Sequence, residues 1–68
     1  MERKYEFVPG DEIRECGTVL RRIRAVRSFR YAVTGDLGGY IEDERNLSHG
    51  GDAWVWYGAK VSGQARIT

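Results

Sequence analysis

The sequence predicts a small, mostly β domain in which β-strand leader segments cap about one rudimentary coil of a hexapeptide-type parallel β-helix. Three observations carry this prediction. Short alternating or β-branched runs are separated by glycine-rich turns, and no stretch combines a helical period with a good N-cap box. Ala53, Ala59 and Ala65 are six residues apart, as are Val55, Val61 and Ile67, with Gly51, Gly58 and Gly63 near the corners between them. A fixed period of six is the mark of a hexapeptide solenoid. Finally, 68 residues make one small domain, which buries only about 60% of its unfolded surface and so depends on economical packing. The expected division is residues 1–51 as a β leader or cap and residues 52–68 as the coil, packed as one compact unit.

Taken in order, Lys4-Tyr5-Glu6-Phe7-Val8 alternates polar with apolar and reads as a strand, ended by the turn dipeptide Pro9-Gly10. Residues 11–17 read as a polar loop closed by Gly17. Thr18 to Phe29 has two readings. As a helix it sets Leu20, Ile23, Val26 and Phe29 three apart; as a strand it flanks Ile23 with Arg22 and Arg24. The β-branched Val19, Ile23 and Val26, and the missing cap, favour a strand with a bulge. Gly35-Asp36-Leu37-Gly38-Gly39-Tyr40-Ile41 is a glycine-dense turn entering a short strand, where glycine allows positive φ or close backbone approach. Glu42 to Gly51 is a polar connector anchored in the core by Leu47.

In the coil, each hexapeptide supplies one face of a triangular turn, with the β-branched side chain inward. About eighteen residues complete one coil. A single coil cannot bury its own inner face. The leader is expected to cover one side, and a second copy or another protein the other. The simplest outcome is a two-fold homodimer through the coil, with Trp54 and Trp56 in or beside the contact.

The run Gly35 to Glu42, then Asn46-Leu47-Ser48, then Gly51-Asp52-Ala53-Trp54-Val55, resembles a bacterial and phage family. Its members carry an N-terminal β leader followed by many hexapeptide-like repeats, and some are labelled acetyltransferases. The resemblance runs from about Lys4 onward and includes the arginine-alternating segment Leu20 to Val26. It implies the leader-and-coil fold and an association with phage, but no activity. Two departures stand out: the array stops after about three hexapeptides, and Trp56-Tyr57 replaces small turn residues. Hexapeptide acyltransferases of this kind use intersubunit clefts and a histidine within the coils. Here His49 lies upstream of the coil, so the resemblance does not make it catalytic.

Composition narrows the function classes. With 41% hydrophobic and 31% charged residues the chain is of globular type. It has no apolar run near the ~18 residues of a membrane span. Met1-Glu2-Arg3-Lys4 leads into mixed charge rather than a signal-peptide core, so a cytoplasmic location is expected. One cysteine gives no internal disulfide, and with one histidine excludes an all-soft zinc site. The length argues against a two-lobed cofactor enzyme, and no cofactor or metal is expected.

Among individual residues, His49 reads as a solvent-facing loop residue, and no serine or cysteine nucleophile with an oxyanion motif is recognisable near it. Cys16 follows Glu12 and Glu15, which work against thiolate formation. Gly35 to Gly39 lacks both the lysine of a phosphate loop and dinucleotide spacing, and reads as a turn. Asp36 and Glu42 read as part of a solvated acidic loop.

The polar candidate site is the arginine strip Arg21, Arg22, Arg24 and Arg27, able to hold carboxylates or phosphates bidentately or to pair with the acidic blocks on either side. The apolar candidate is Trp54, Trp56 and Tyr57. On a strand Trp54 and Trp56 would share the face opposite Val55, either under the leader or as an exposed interface patch.

The function expected from all this is a non-catalytic protein-interaction or assembly module, phage-associated by resemblance. One version is a small phage-encoded inhibitor of a host defence complex of the nucleic-acid-guided, CRISPR type. The rivals are a remnant hexapeptide acyltransferase and nucleic-acid binding through the arginine strip, which a net charge of +1 disfavours.

Overall fold

A computed structural model describes residues 3–68 of the chain; Met1 and Glu2, part of the charged N-terminus read above, lie outside the described residues. The chain forms strands β1 (Tyr5–Glu15), β2 (Thr18–Ala25), β3 (Leu37–Ile41) and β4 (Lys60–Val61), with a 3₁₀ turn at Glu44–Asn46. The four strands make one mixed sheet in the order β1-β2-β3-β4. The first two pairings are antiparallel and the last is parallel.

Pro9-Gly10 does not end the first strand. It sits in a wide irregularity of β1, between the pairs Phe7–Ile23 and Glu12–Arg21, where Val8 to Asp11 stand opposite Arg22 alone. Proline has no N–H to lose from the ladder, and Gly10 takes φ +81°, so the strand bulges instead of stopping. The expected polar loop 11–17 is correspondingly the rest of β1 plus a two-residue turn. Glu15 pairs with Thr18 across Cys16 and Gly17, both at positive φ. That backbone matches the right-handed twist of a hairpin.

The segment from Thr18 is a strand, as favoured, but only to Ala25; its register against β3 shifts between Arg22 and Arg24. Beyond it, Phe29 and Ala32 form a small bridge of their own.

Gly38 and Gly39 are the close approach that the glycine-dense turn suggested. A Cβ on Gly39 would lie 2.3 Å from the carbonyl oxygen of Ala59 and 2.5 Å from that of Trp56. The absence of side chains lets β3 lie directly on residues 54–59. The Gly39 amide donates to the Val55 carbonyl at 2.8 Å and the Tyr40 amide to Ala59 at 3.0 Å.

The six-residue period has a structural counterpart different from the one expected. Ile41 pairs in parallel with Val61, and Leu47 with Ile67, so both pairs are twenty residues apart. Ile41 and Leu47 are fully buried, and Val61 and Ile67 pack half-buried against the same core. Thus residues read as cap pair in parallel with the C-terminal segment. The C-terminal segment itself contains only the two-residue β4 and the Leu47–Ile67 bridge as β pairing, and the architecture is a small mixed sheet.

The core comprises Tyr5, Ile23, Ala25, Ala32, Ile41, Leu47, Trp54 and Val55. Trp54 and Val55 are both buried while Trp56 is exposed, so the shared outward face expected for Trp54 and Trp56 is not formed. The reason is local: residues 53–57 are not a strand, and the alternation of a pleated strand does not apply.

Candidate interaction site

The β1 bulge and the β2–β3 register shift converge on Arg22, which is buried. Its Nε donates to Asp11 Oδ2 at 2.8 Å, one terminal nitrogen to the Gly38 carbonyl at 2.7 Å, and the other to the Tyr40 hydroxyl at 3.0 Å. The Tyr40 hydroxyl in turn donates to Asp11 Oδ1 at 2.7 Å. The guanidinium also lies over two aromatic rings, 4.4 Å from the centre of Tyr40 and 4.5 Å from that of Tyr57. The hydrogen bond from Tyr40, and then the hydrogen bond and charge of Arg22, hold the Asp11 carboxyl below its usual range against partial desolvation. The same bond to Asp11 raises the Tyr40 phenol, with desolvation adding to it. Burial works to lower the Arg22 pKa, but its bonds to Tyr40 and Asp11 outweigh that and leave it raised.

The other strip residues are dispersed. Arg24 pairs with Glu6 across the β1–β2 ladder. Arg21 approaches Glu12 at 3.7 Å and lies over the Phe7 ring. By the pleat Arg21 and Arg22 point to opposite faces. Arg27 lies beyond the strand over Phe29, 5.8 Å from the ring centre. The four arginines therefore do not form one row of guanidiniums; three of them meet the acidic block of β1.

Of the aromatic trio, Trp54 belongs to the core, edge-on to Phe29 at 5.3 Å. Trp56 and Tyr57 are 56% and 70% exposed. Trp56 meets Tyr31, itself 45% exposed, edge-on at 5.5 Å. Tyr31 was absent from the sequence-based set. Its signal was present in the order Phe29-Arg30-Tyr31, where aromatics flank a basic residue.

His49 is not the solvent-facing residue expected. Its ring stacks on Tyr5 at 4.1 Å and only 14% of its side chain is exposed. Nδ1 accepts the Lys4 amide at 3.0 Å, which leaves Nε2 as the donor to Glu44 Oε1 at 2.8 Å. Both nitrogens are thus engaged inside the fold. Lys4, also missed from sequence, is buried, and its ammonium donates to the Ala53 and Gly50 carbonyls and lies over Phe29. Burial, then the charge of Arg27, lower its pKa, with Asp52 opposing.

Among the described residues there is no pocket and no group of three histidine, cysteine or acidic side chains placed to hold a metal. Among the described residues no helix is long and apolar enough to cross a membrane.

No family model matches the chain. The chain is 30% identical over 74 aligned residues to the uncharacterized acetyltransferase YdcK of Escherichia coli (strain K12), an alignment that takes in 98% of this chain and 23% of that protein. The chain thus spans about a quarter of the length of the curated relative it matches. The resemblance read from residues 35–55 agrees with this relative at the level of an acetyltransferase-like sequence.

Proposed function

We propose that the chain is a non-catalytic protein-interaction and assembly module: a β leader that starts hexapeptide-type rungs and presents an edge on which further β structure stacks. The observation that supports it is the paired spacing of Ile41–Leu47 above Val61–Ile67, two rungs in parallel register. β1 and β4 are the two edge strands of the sheet; β4 lies at the C-terminal edge, and an edge offers backbone groups for pairing with another chain. The occupant is a second copy of the chain, joined across a two-fold axis. The phage setting and the host-defence partner implied by the resemblance belong to the same proposal and add no residue to it. Sedimentation of the full chain across micromolar concentrations tests the reading. A reversible dimer is the expected result, and a strictly monomeric protein overturns it.

A second reading, part of a hexapeptide acyltransferase, is favoured by the relative named as an acetyltransferase. Calorimetric titration with acetyl-CoA separates the two, since a saturable heat would support the acyltransferase and its absence the interaction module.

A further inference from the structure

Where the basic charge is left uncompensated is a more selective guide to a partner than where arginines occur. The β2 arginines, Arg3 and Arg45 each have a carboxylate within 4.0 Å. Among the described residues Arg27 and Arg30 have none. Arg14 and Arg66 share that condition, but among the described residues neither lies over an aromatic ring. Arg30 lies over Tyr31 at 5.5 Å and Arg27 over Phe29 at 5.8 Å. The Arg27 Nε is buried without an acceptor, so the guanidinium is held by packing and not by an acid.

These residues sit on an ordered support. Phe29 and Ala32 exchange backbone hydrogen bonds at 2.8 and 3.3 Å, and the Thr34 amide donates to Ser28 Oγ at 3.2 Å. Phe29 is wedged on the core residue Trp54 while Arg30 and Tyr31 form the exposed tip, beside the exposed ring of Trp56.

We propose that the Phe29–Ala32 turn, with Trp56, is a docking surface for an extended acidic segment of a partner protein. The segment's carboxylates meet Arg27 and Arg30, and an apolar side chain lies on Tyr31 and Trp56. Charge complementarity selects this occupant. Two uncompensated guanidiniums suit a few carboxylates, whereas a nucleic-acid backbone needs a longer basic track than a chain of net charge +1 offers here. Tryptophan, tyrosine and arginine are also the side chains that dominate protein interfaces. A preformed turn reduces the ordering cost of binding. The proposal rests on the interaction-module reading and names one partner class for it.

The test is fluorescence anisotropy with the full chain and a fluorescein-labelled peptide of alternating aspartate and leucine. A peptide with lysine for aspartate and a labelled oligothymidine are the comparisons. The aspartate peptide is expected to bind at least roughly tenfold more tightly than either. Arg30→Glu and Trp56→Ala should each weaken it by roughly tenfold. Arg14→Glu, the same charge change on β1, should leave it within about twofold. Circular dichroism confirms that the exposed-site variants fold. Equal binding of the two peptides, indifference to Arg30→Glu, or tighter binding of the oligonucleotide would each overturn the proposal. Sedimentation of the same samples keeps the two readings apart. A self-associating chain that ignores the acidic peptide overturns the docking surface alone, and a strict monomer that binds it overturns only the assembly.

Discussion

Asn46 is fully buried, and both ends of its side-chain amide are used. Its Nδ2 donates to the carbonyls of Gly63 at 3.2 Å and Ala65 at 2.7 Å, and its Oδ1 accepts the Asp43 amide at 2.9 Å. One side chain thereby closes the capping box of the 3₁₀ turn and ties the 63–67 segment to that turn. Asn46→Ala would strand these backbone groups, and a loss of about 2–4 kcal/mol is expected in denaturant titration. Tyr5 gives a pH-dependent counterpart. Its hydroxyl donates to the Leu47 carbonyl at 2.7 Å, and burial, then the charge of Glu44, push its pKa from 10.0 up to about 12. The unfolded chain loses the phenol proton first, so the contribution of Tyr5 is complete below pH 10 and lost as pH rises toward 12. Lys4, lowered from 10.5, acts in the opposite sense: stability grows as pH rises toward its unfolded value, because the folded ammonium deprotonates first. Tyr5→Phe should therefore reduce the alkaline fall in unfolding midpoint, measured from pH 10 to 12, and an unchanged slope would show that Tyr5 is not its source.

At the scale of elements, the arginines of β2 differ in cost because their surroundings differ. Arg22 is buried among four polar or aromatic partners, while Arg21 and Arg24 are half-exposed in simple cross-strand pairs. Arg22→Ala is expected to cost about 2–4 kcal/mol, by leaving the Gly38 carbonyl and the Tyr40–Asp11 pair short of a donor. Arg21→Ala and Arg24→Ala should each cost about 0–1 kcal/mol, as exposed ion pairs do. Equal costs in thermal unfolding would mean that the Arg22 cluster is not a structural joint. Gly39→Ala probes the junction of β3 with residues 54–59. The new methyl would meet two backbone carbonyls that have no flexible end to move aside, so a loss of about 2 kcal/mol or more is expected, with altered near-ultraviolet signals from the tryptophans. The strand character of 18–25 was legible because β-branched residues and the missing cap agreed. The continuation of β1 through Pro9-Gly10 was not, since a bulge and a turn share the same residue types and differ only in what lies across the ladder.

For the whole molecule, the parallel pairing of Ile41 with Val61 and of Leu47 with Ile67 sets an order of sensitivity. Ile41 has no exposure, whereas Val61 below it is half-covered. Ile41→Asp should abolish cooperative unfolding by burying an unpaired charge. Val61→Asp can turn its carboxylate toward water, so it should lower the unfolding free energy by about 1–3 kcal/mol and leave a cooperative transition. The reverse order would place the principal inner face in the C-terminal segment, where the period of six alone puts it.

What the sequence determined by itself was local: mostly β structure, glycines where two backbones approach, Leu47 as an anchor, and a C-terminal pattern of period six. Each follows from backbone freedom or side-chain shape over a few residues. The tertiary structure alone decided which side chains are used up. Arg22 resembles Arg21 and Arg24 in sequence, yet a bulge eleven residues earlier brings Asp11 to it. Trp54 and Trp56 share a spacing, yet only Trp54 falls beneath β3 against Phe29 and Gly38. His49 Nδ1 gains its partner from the start of the chain, 45 residues away at Lys4, and its ring stacks on Tyr5. Local pattern cannot encode such meetings. A side chain becomes core, joint or free surface according to which distant backbone folds against it, and the long-range pairing of β1, β3 and the C-terminal segment sets that.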